Sequence, residues 1–130
     1  MNSSWQIARG DRRKGRAERP AYVSINKRGE IAMNDRAFAA IMRPASVTLL
    51  YDPEARLIGV KYPVSADRHF YMARRYGRNN KMRIIRAARA LKQFGLQLEH
   101  TLKFYNPPVI TYRNEPMLLL ELDRAESVDR

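Results

Sequence analysis

The chain has 130 residues, with 25 Lys and Arg against 13 Asp and Glu, a formal net charge of +12 and no cysteine. Disulfides and thiolate metal sites are excluded, and no apolar stretch approaches the roughly 20 residues a bilayer span needs, so no membrane partner is expected. The charge excess favours polyanionic partners, because each phosphate that is neutralised releases counterions.

Residues 1–20 carry Arg9, Arg12, Arg13, Lys14, Arg16 and Arg19 among Gly10, Gly15 and Pro20. With so little apolar content the stretch reads as a flexible basic arm, Trp5 being its lone aromatic. It has no apolar core of the kind a secretory signal needs, so the expected location is the cytoplasm.

The folded part begins at Ala21. Apolar and polar residues alternate over Tyr22–Asn26 and again over Glu30–Met33, which predicts a hairpin turning at Lys27-Arg28-Gly29. Asn34 is a good N-cap for a short helix over Asp35–Met42, with Phe38, Ile41 and Met42 on its inner face and Pro44 stopping it. Ser46–Tyr51 and Arg56–Tyr62 predict a second hairpin around Asp52-Pro53-Glu54-Ala55.

Beyond Pro63 the order recurs. Phe70–Tyr76 reads as one strand, Gly77–Asn80 as its turn and Lys81–Ile85 as the returning strand. Residues 86–94 read as a helix with Ala88 and Leu91 inward and Gly95 as its stop. Leu102–Tyr105 and Met117–Leu122 supply the last strands, with Pro107-Pro108 in a wider loop between them. The expected fold class is therefore α+β: two β-β-α-β-β units forming a small, mainly antiparallel β core with two short helices. They are subunits 21–63 and 68–123 of a single compact domain over 21–123, and residues 124–130 form a flexible C-terminus. One continuous sheet with two helices and no duplication is the alternative.

Nine cations, seven of them Arg, fall between residues 68 and 98 with no acid among them. Like charges at that density repel in a folded chain, so a counter-anion supplied from outside is the natural reading. Arginine also forks onto phosphate or guanine as lysine does not. Arg74, Arg75, Arg78, Lys81, Arg83, Arg86 and Arg89 are the nucleic-acid-binding candidates here. Arg86, Arg89 and Gln93 are expected on one helical face, and Tyr71 and Tyr76 interleave with the arginines as in single-strand stacking surfaces.

Lys27 and Arg28 at the first hairpin tip form a second basic feature. The run Val23-Ser-Ile-Asn-Lys-Arg-Gly-Glu-Ile-Ala-Met-Asn34, followed by a short helix and a strand pair, resembles the AbrB/MraZ-like family of swapped-hairpin transcription regulators. Gly29 falls at the family's turn glycine and Met33 at its isoleucine, whereas Asn34 stands where the family has proline. The resemblance covers residues 22–62. It implies a homodimer or higher ring that grips DNA, with Lys27, Arg28 and Arg36 as contacts.

Catalysis is not expected, nor any cofactor or metal. His69 and His100 lack metal-ligand spacing, and no Gly-rich phosphate loop, nucleophile elbow or HExxH is present. Glu121 and Asp123 share a strand face, which exposed strand positions explain. The expected function is nucleic-acid binding, DNA favoured over RNA, as a small regulator or nucleoid-type protein using arginine–phosphate contacts. The alternatives are an RNA-binding or ribosome-associated module, a small metal-independent ribonuclease using His69, and a structural partner of an acidic protein.

Overall fold

In a computed structural model of the chain, residues 20–64 and 68–128 are described. The basic arm expected at 1–20 lies outside them except for Pro20.

The first hairpin forms where the alternation places it. Strand β1 is Tyr22–Ile25 and β2 is Glu30–Met33. Val23, Ile25, Ile31 and Met33 point to one side and are fully buried, while Tyr22, Ser24 and Ala32 take the other face. The side chain of Asn26 organises the turn, its Oδ1 accepting from the backbone N–H of Arg28 at 2.9 Å and of Glu30 at 3.0 Å. Helix α1, Asp35–Ala40, is capped as expected: Asn34 Oδ1 accepts from the N–H of Ala37 at 3.0 Å. The same oxygen accepts from the Tyr22 N–H at 3.0 Å, so one amide ties the helix start to the first strand. This helix ends sooner than its sequence suggests. Met42 adopts φ 69°, which turns it away from the inner face expected for it and leaves it 64% exposed, whereas Phe38 and Ile41 are buried.

Strands β3, Ser46–Asp52, and β4, Leu57–Lys61, make the second hairpin. The strand expected over Phe70–Tyr76 is instead two: β5, Tyr71–Met72, and β6, Arg74–Tyr76. They separate at Ala73, whose N–H is taken by Ala45 O at 3.0 Å, and each then joins a different sheet. Next come β7, Met82–Arg86, and helix α2, Ala88–Gln93, which Gly95 ends at φ +78°. Ala90 and Leu91 are its buried residues. Ala88, expected inward, is exposed: it opens the helix beside Gly29 at the hairpin tip, and the buried side is that of Ala87, Ala90 and Leu91.

The second half then departs from the first. Strand β8, Thr101–Tyr105, stands between α2 and a last hairpin of β9, Val109–Tyr112, and β10, Glu115–Glu121. Glu126–Val128, assigned to a tail by the sequence, form strand β11 against β8. The described residues thus form an α+β fold of eleven strands and two short helices in two antiparallel sheets. The six-stranded sheet runs β11-β8-β1-β2-β7-β6 and the five-stranded sheet runs β5-β3-β4-β10-β9. Their facing sides, with Phe38 and Ile41 from the α1 region and Leu91 from α2, make one apolar core around Ile31, Ile58, Ile85, Leu118 and Leu120.

Gly29 joins the hairpin to α2. Its φ is +83°, and an added Cβ would stand 2.6 Å from the Cα of Ala88, while Gly29 O accepts from the Ala87 N–H at 2.8 Å. Gly29→Ala is expected to lower unfolding stability by about 3 kcal/mol, from the left-handed backbone and the overlap together. Chemical denaturation checks this, and a loss below about 1 kcal/mol would show that α2 is free to shift.

Candidate nucleic-acid interface

The break at Ala73 decides where the basic side chains go. On β6, Arg74 lies opposite Ile84, Arg75 opposite Arg83 and Tyr76 opposite Met82. Arg74 and Tyr76 therefore share the outer face of the six-stranded sheet with Ile84, Met82, Ala32 and Ser24, and Arg75 points to the other side. The turn that follows suits its sequence. Gly77 takes φ +86°, and Asn79 and Asn80 take φ 63° and 55°, left-handed conformations that asparagine tolerates. Arg78 and Lys81 are exposed on that turn.

Arg83 does something different from what its place in the cluster suggests. Its strand parity turns it toward the core side, where the guanidinium lies 4.9 Å from the ring centroid of Phe38. Its Nη1 donates to Asn80 O at 2.9 Å and Met82 O at 3.1 Å. This arginine closes the turn and packs on α1. Arg86, expected on the helix with Arg89, is the last residue of β7. Arg68, Arg74, Arg75, Arg78 and Arg89 have neither an ion pair nor a side-chain hydrogen bond among the described residues.

Arg86 and Arg89 come together with Arg68, His69, Phe70 and Tyr71 around an open groove of about 560 Å³. Phe70 is half exposed there, whereas Tyr71 is partly buried against the core. The hairpin tip faces elsewhere: Lys27 and Arg28 line a second groove of about 430 Å³ with Ala88, Leu91 and Lys92 of α2. Arg36 is exposed on α1. The sequence-predicted set is thus divided, with Arg74, Arg78, Lys81, Arg86 and Arg89 around the β6–β7 edge and its groove, and Lys27 and Arg28 at the tip.

Three residues on the outer sheet face carry a signal that sequence reading missed. Tyr22 of β1 and Tyr105 of β8 lie side by side with ring centroids 5.3 Å apart and planes tilted by 41°. Lys103 of β8 holds its Nζ 5.9 Å from the Tyr22 centroid. Each sits in an ordinary alternating strand, and only the pairing of β1 with β8, some eighty residues apart in the chain, brings them together.

Among the described residues, Glu30 and Asp35 are acids near the basic clusters that are already engaged. Glu30 accepts from Asn26 Nδ2 at 2.7 Å and from Arg28 Nη2 at 3.0 Å. The Asn26 bond, then the Arg28 bond, hold its carboxyl below its ordinary range, with smaller help from the charges of Arg28 and Arg86. Asp35 is lowered in the same way, first by its hydrogen bond from Arg43. Among the described residues no group of three or more His, Asp and Glu side chains gathers where a metal ion could sit, and no helix is long and apolar enough to cross a membrane. Comparison with family models, with curated proteins and with solved structures finds no match to this chain.

Two tests follow from this arrangement. Arg83→Ala is expected to cost about 1 kcal/mol of stability through the lost ring contact and turn bonds, whereas Arg74→Ala stays within about 0.5 kcal/mol of the parent in the same denaturation. Because the folded pKa of Glu30 is depressed, its contribution is present above its unfolded value and is lost as pH falls through the folded one. Glu30→Gln should therefore flatten the acid side of a stability-against-pH curve, and an unchanged acid limb would assign that limb to other carboxylates.

Proposed function

We propose that the protein binds nucleic acid through arginine–phosphate contacts along the β6–β7 edge and the adjoining groove. The observation that carries this reading is the set of arginines without partners among the described residues: Arg74 and Arg78 at the edge, Arg68 and Arg89 at the groove. A folded chain gains nothing from holding such charges together, and a phosphate backbone relieves their repulsion while releasing its own counterions. Arg86 lies on β7 between edge and groove, so one backbone can touch both.

The role proposed is that of a binder, DNA being favoured by the resemblance of residues 22–62 to swapped-hairpin regulators, in which case Lys27 and Arg28 add contacts and the active form is a homodimer. RNA binding is the second reading, favoured by Tyr76 standing beside Arg74 on the sheet face. A metal-independent ribonuclease draws on His69 in the arginine groove, and RNA cleavage that His69→Ala abolishes would replace the binding role with it.

Fluorescence anisotropy with labelled oligonucleotides over a salt series tests the proposal. Log affinity should fall linearly with log salt, with a slope of about −3 or steeper if four or more phosphates are held. Arg86→Glu with Arg89→Glu should weaken binding by at least about tenfold for every sequence tried. A salt-insensitive affinity, or one that survives the double reversal, would refute the proposed surface.

A further inference from the structure

We propose that the outer face of the six-stranded sheet is a stacking platform for the bases of single-stranded nucleic acid. This rests on the nucleic-acid reading above and names the form of nucleic acid the site takes. In register, Tyr76 of β6, Met82 of β7, Asn34 just after β2, Tyr22 of β1 and Tyr105 of β8 fall in one row across the sheet. Tyr76 and Tyr105 are 50% and 52% exposed, high values for rings on sheet strands. With strands spaced about 4.8 Å apart, Tyr76 and Tyr22 stand roughly 14 Å from one another, three strands away.

The neighbouring row is what makes the rings accessible. It runs Arg74, Ile84, Ala32, Ser24, Lys103 and, on the β11 edge, Glu126, so its two central residues are small, with Arg74 at one end and Lys103 on the other side of them. A flat base can descend over Ala32 and Ser24 and meet the tyrosine rings, while the backbone keeps its phosphates near Arg74 and Lys103. Two acids share this face. Glu126 stands opposite Lys103 in the strand register at the β11 edge, and Glu30 is occupied by Asn26 and Arg28. The β6–β7 side, where Arg86 leads into the arginine groove, is the more positive end.

Strand form follows from chemistry. In a duplex the base faces are stacked on one another and are closed to protein rings, so a duplex could use only the cations. A single strand offers every base as a flat π-surface, which aromatic residues bind with little regard for sequence. A second copy of this chain laid on the same face would have to bury Arg74, Arg86 and Lys103, a desolvation that a polyanion avoids.

The test uses the full chain and short oligonucleotides of one sequence: single-stranded RNA, single-stranded DNA, the DNA duplex, and a single strand with abasic sites. The intact single strand should bind about tenfold more tightly than the abasic one, which keeps the phosphates and lacks the rings. Tyr76→Leu and Tyr105→Leu should each remove most of that difference and leave duplex affinity unchanged. Tyr76→Leu on the edge strand serves alone if the Tyr105 variant unfolds. The tighter of the RNA and DNA strands identifies the natural sugar. Equal affinity for intact and abasic strands, or a duplex held as tightly as the single strand, overturns the platform but leaves the phosphate reading standing. Absence of binding to any of the four overturns both. A dimer in sedimentation that the same tyrosine substitutions dissociate overturns the platform in favour of self-association.

Discussion

Gly29 has no side chain, and the fold uses that absence to seat the start of α2 directly on the tip of the first hairpin. The Cα of Ala88 comes within 2.6 Å of where a Cβ would be, and the Ala87 N–H bonds to Gly29 O. Three consequences follow from one contact. Strand β7 is held in register beside β2, with Glu30 opposite Arg86 and Ile31 opposite Ile85. Helix α2 is aimed so that Leu91 enters the core and Arg89 reaches the groove beside Arg86. The basic tip, Lys27 and Arg28, becomes one wall of a groove whose other wall is α2. A larger residue at position 29 would disturb all three together.

What the sequence made legible was mostly local. The β1–β2 hairpin, the Asn34 cap, the β3–β4 hairpin and the Gly95 stop each depend on a few adjacent residues whose chemistry admits few alternatives. The errors arise where tertiary pairing decides. Phe70–Tyr76 is one uninterrupted run without Gly or Pro, an apolar stretch to Ala73 followed by Arg74 and Arg75, and nothing in it separates two strands that join different sheets. Strand β9, Val-Ile-Thr-Tyr, has strand-prone residues obscured by the proline pair before it, whereas β11 is rich in polar residues and pairs with the edge that β8 offers. Met42 was assigned to a helix face by spacing that continued beyond the point where the backbone turns left-handed.

The candidate site divides along the same line. A run of cations is visible in sequence as charge, but its sorting into inner and outer faces is set by register. Arg83 and Arg74 are equivalent by composition, yet one packs on Phe38 and closes a turn while the other is open to solvent. The tyrosine pair Tyr22–Tyr105 had no local signal at all, since neither ring has the other near it in the chain.

Both sheets join the two halves of the chain through interior strands: β2 pairs with β7 in one, and β4 pairs with β10 in the other. Each pairing is antiparallel and lies at or next to the middle of its sheet, so the halves share backbone hydrogen bonds as well as side chains. That sharing bears on the charge. Seven arginines within residues 68–98 would strain a small independent unit through their mutual repulsion. Here β6, β7 and α2 are anchored to a hairpin from the other half, whose buried face supplies Val23, Ile25, Ile31 and Met33 to the common core. The apolar anchoring lies on one face of the sheet, and Arg74, Arg86, Tyr22, Tyr76 and Tyr105 stand on the other. A surface that is unfavourable by itself can therefore be held in shape before any polyanion arrives, and binding need not supply the energy of folding it.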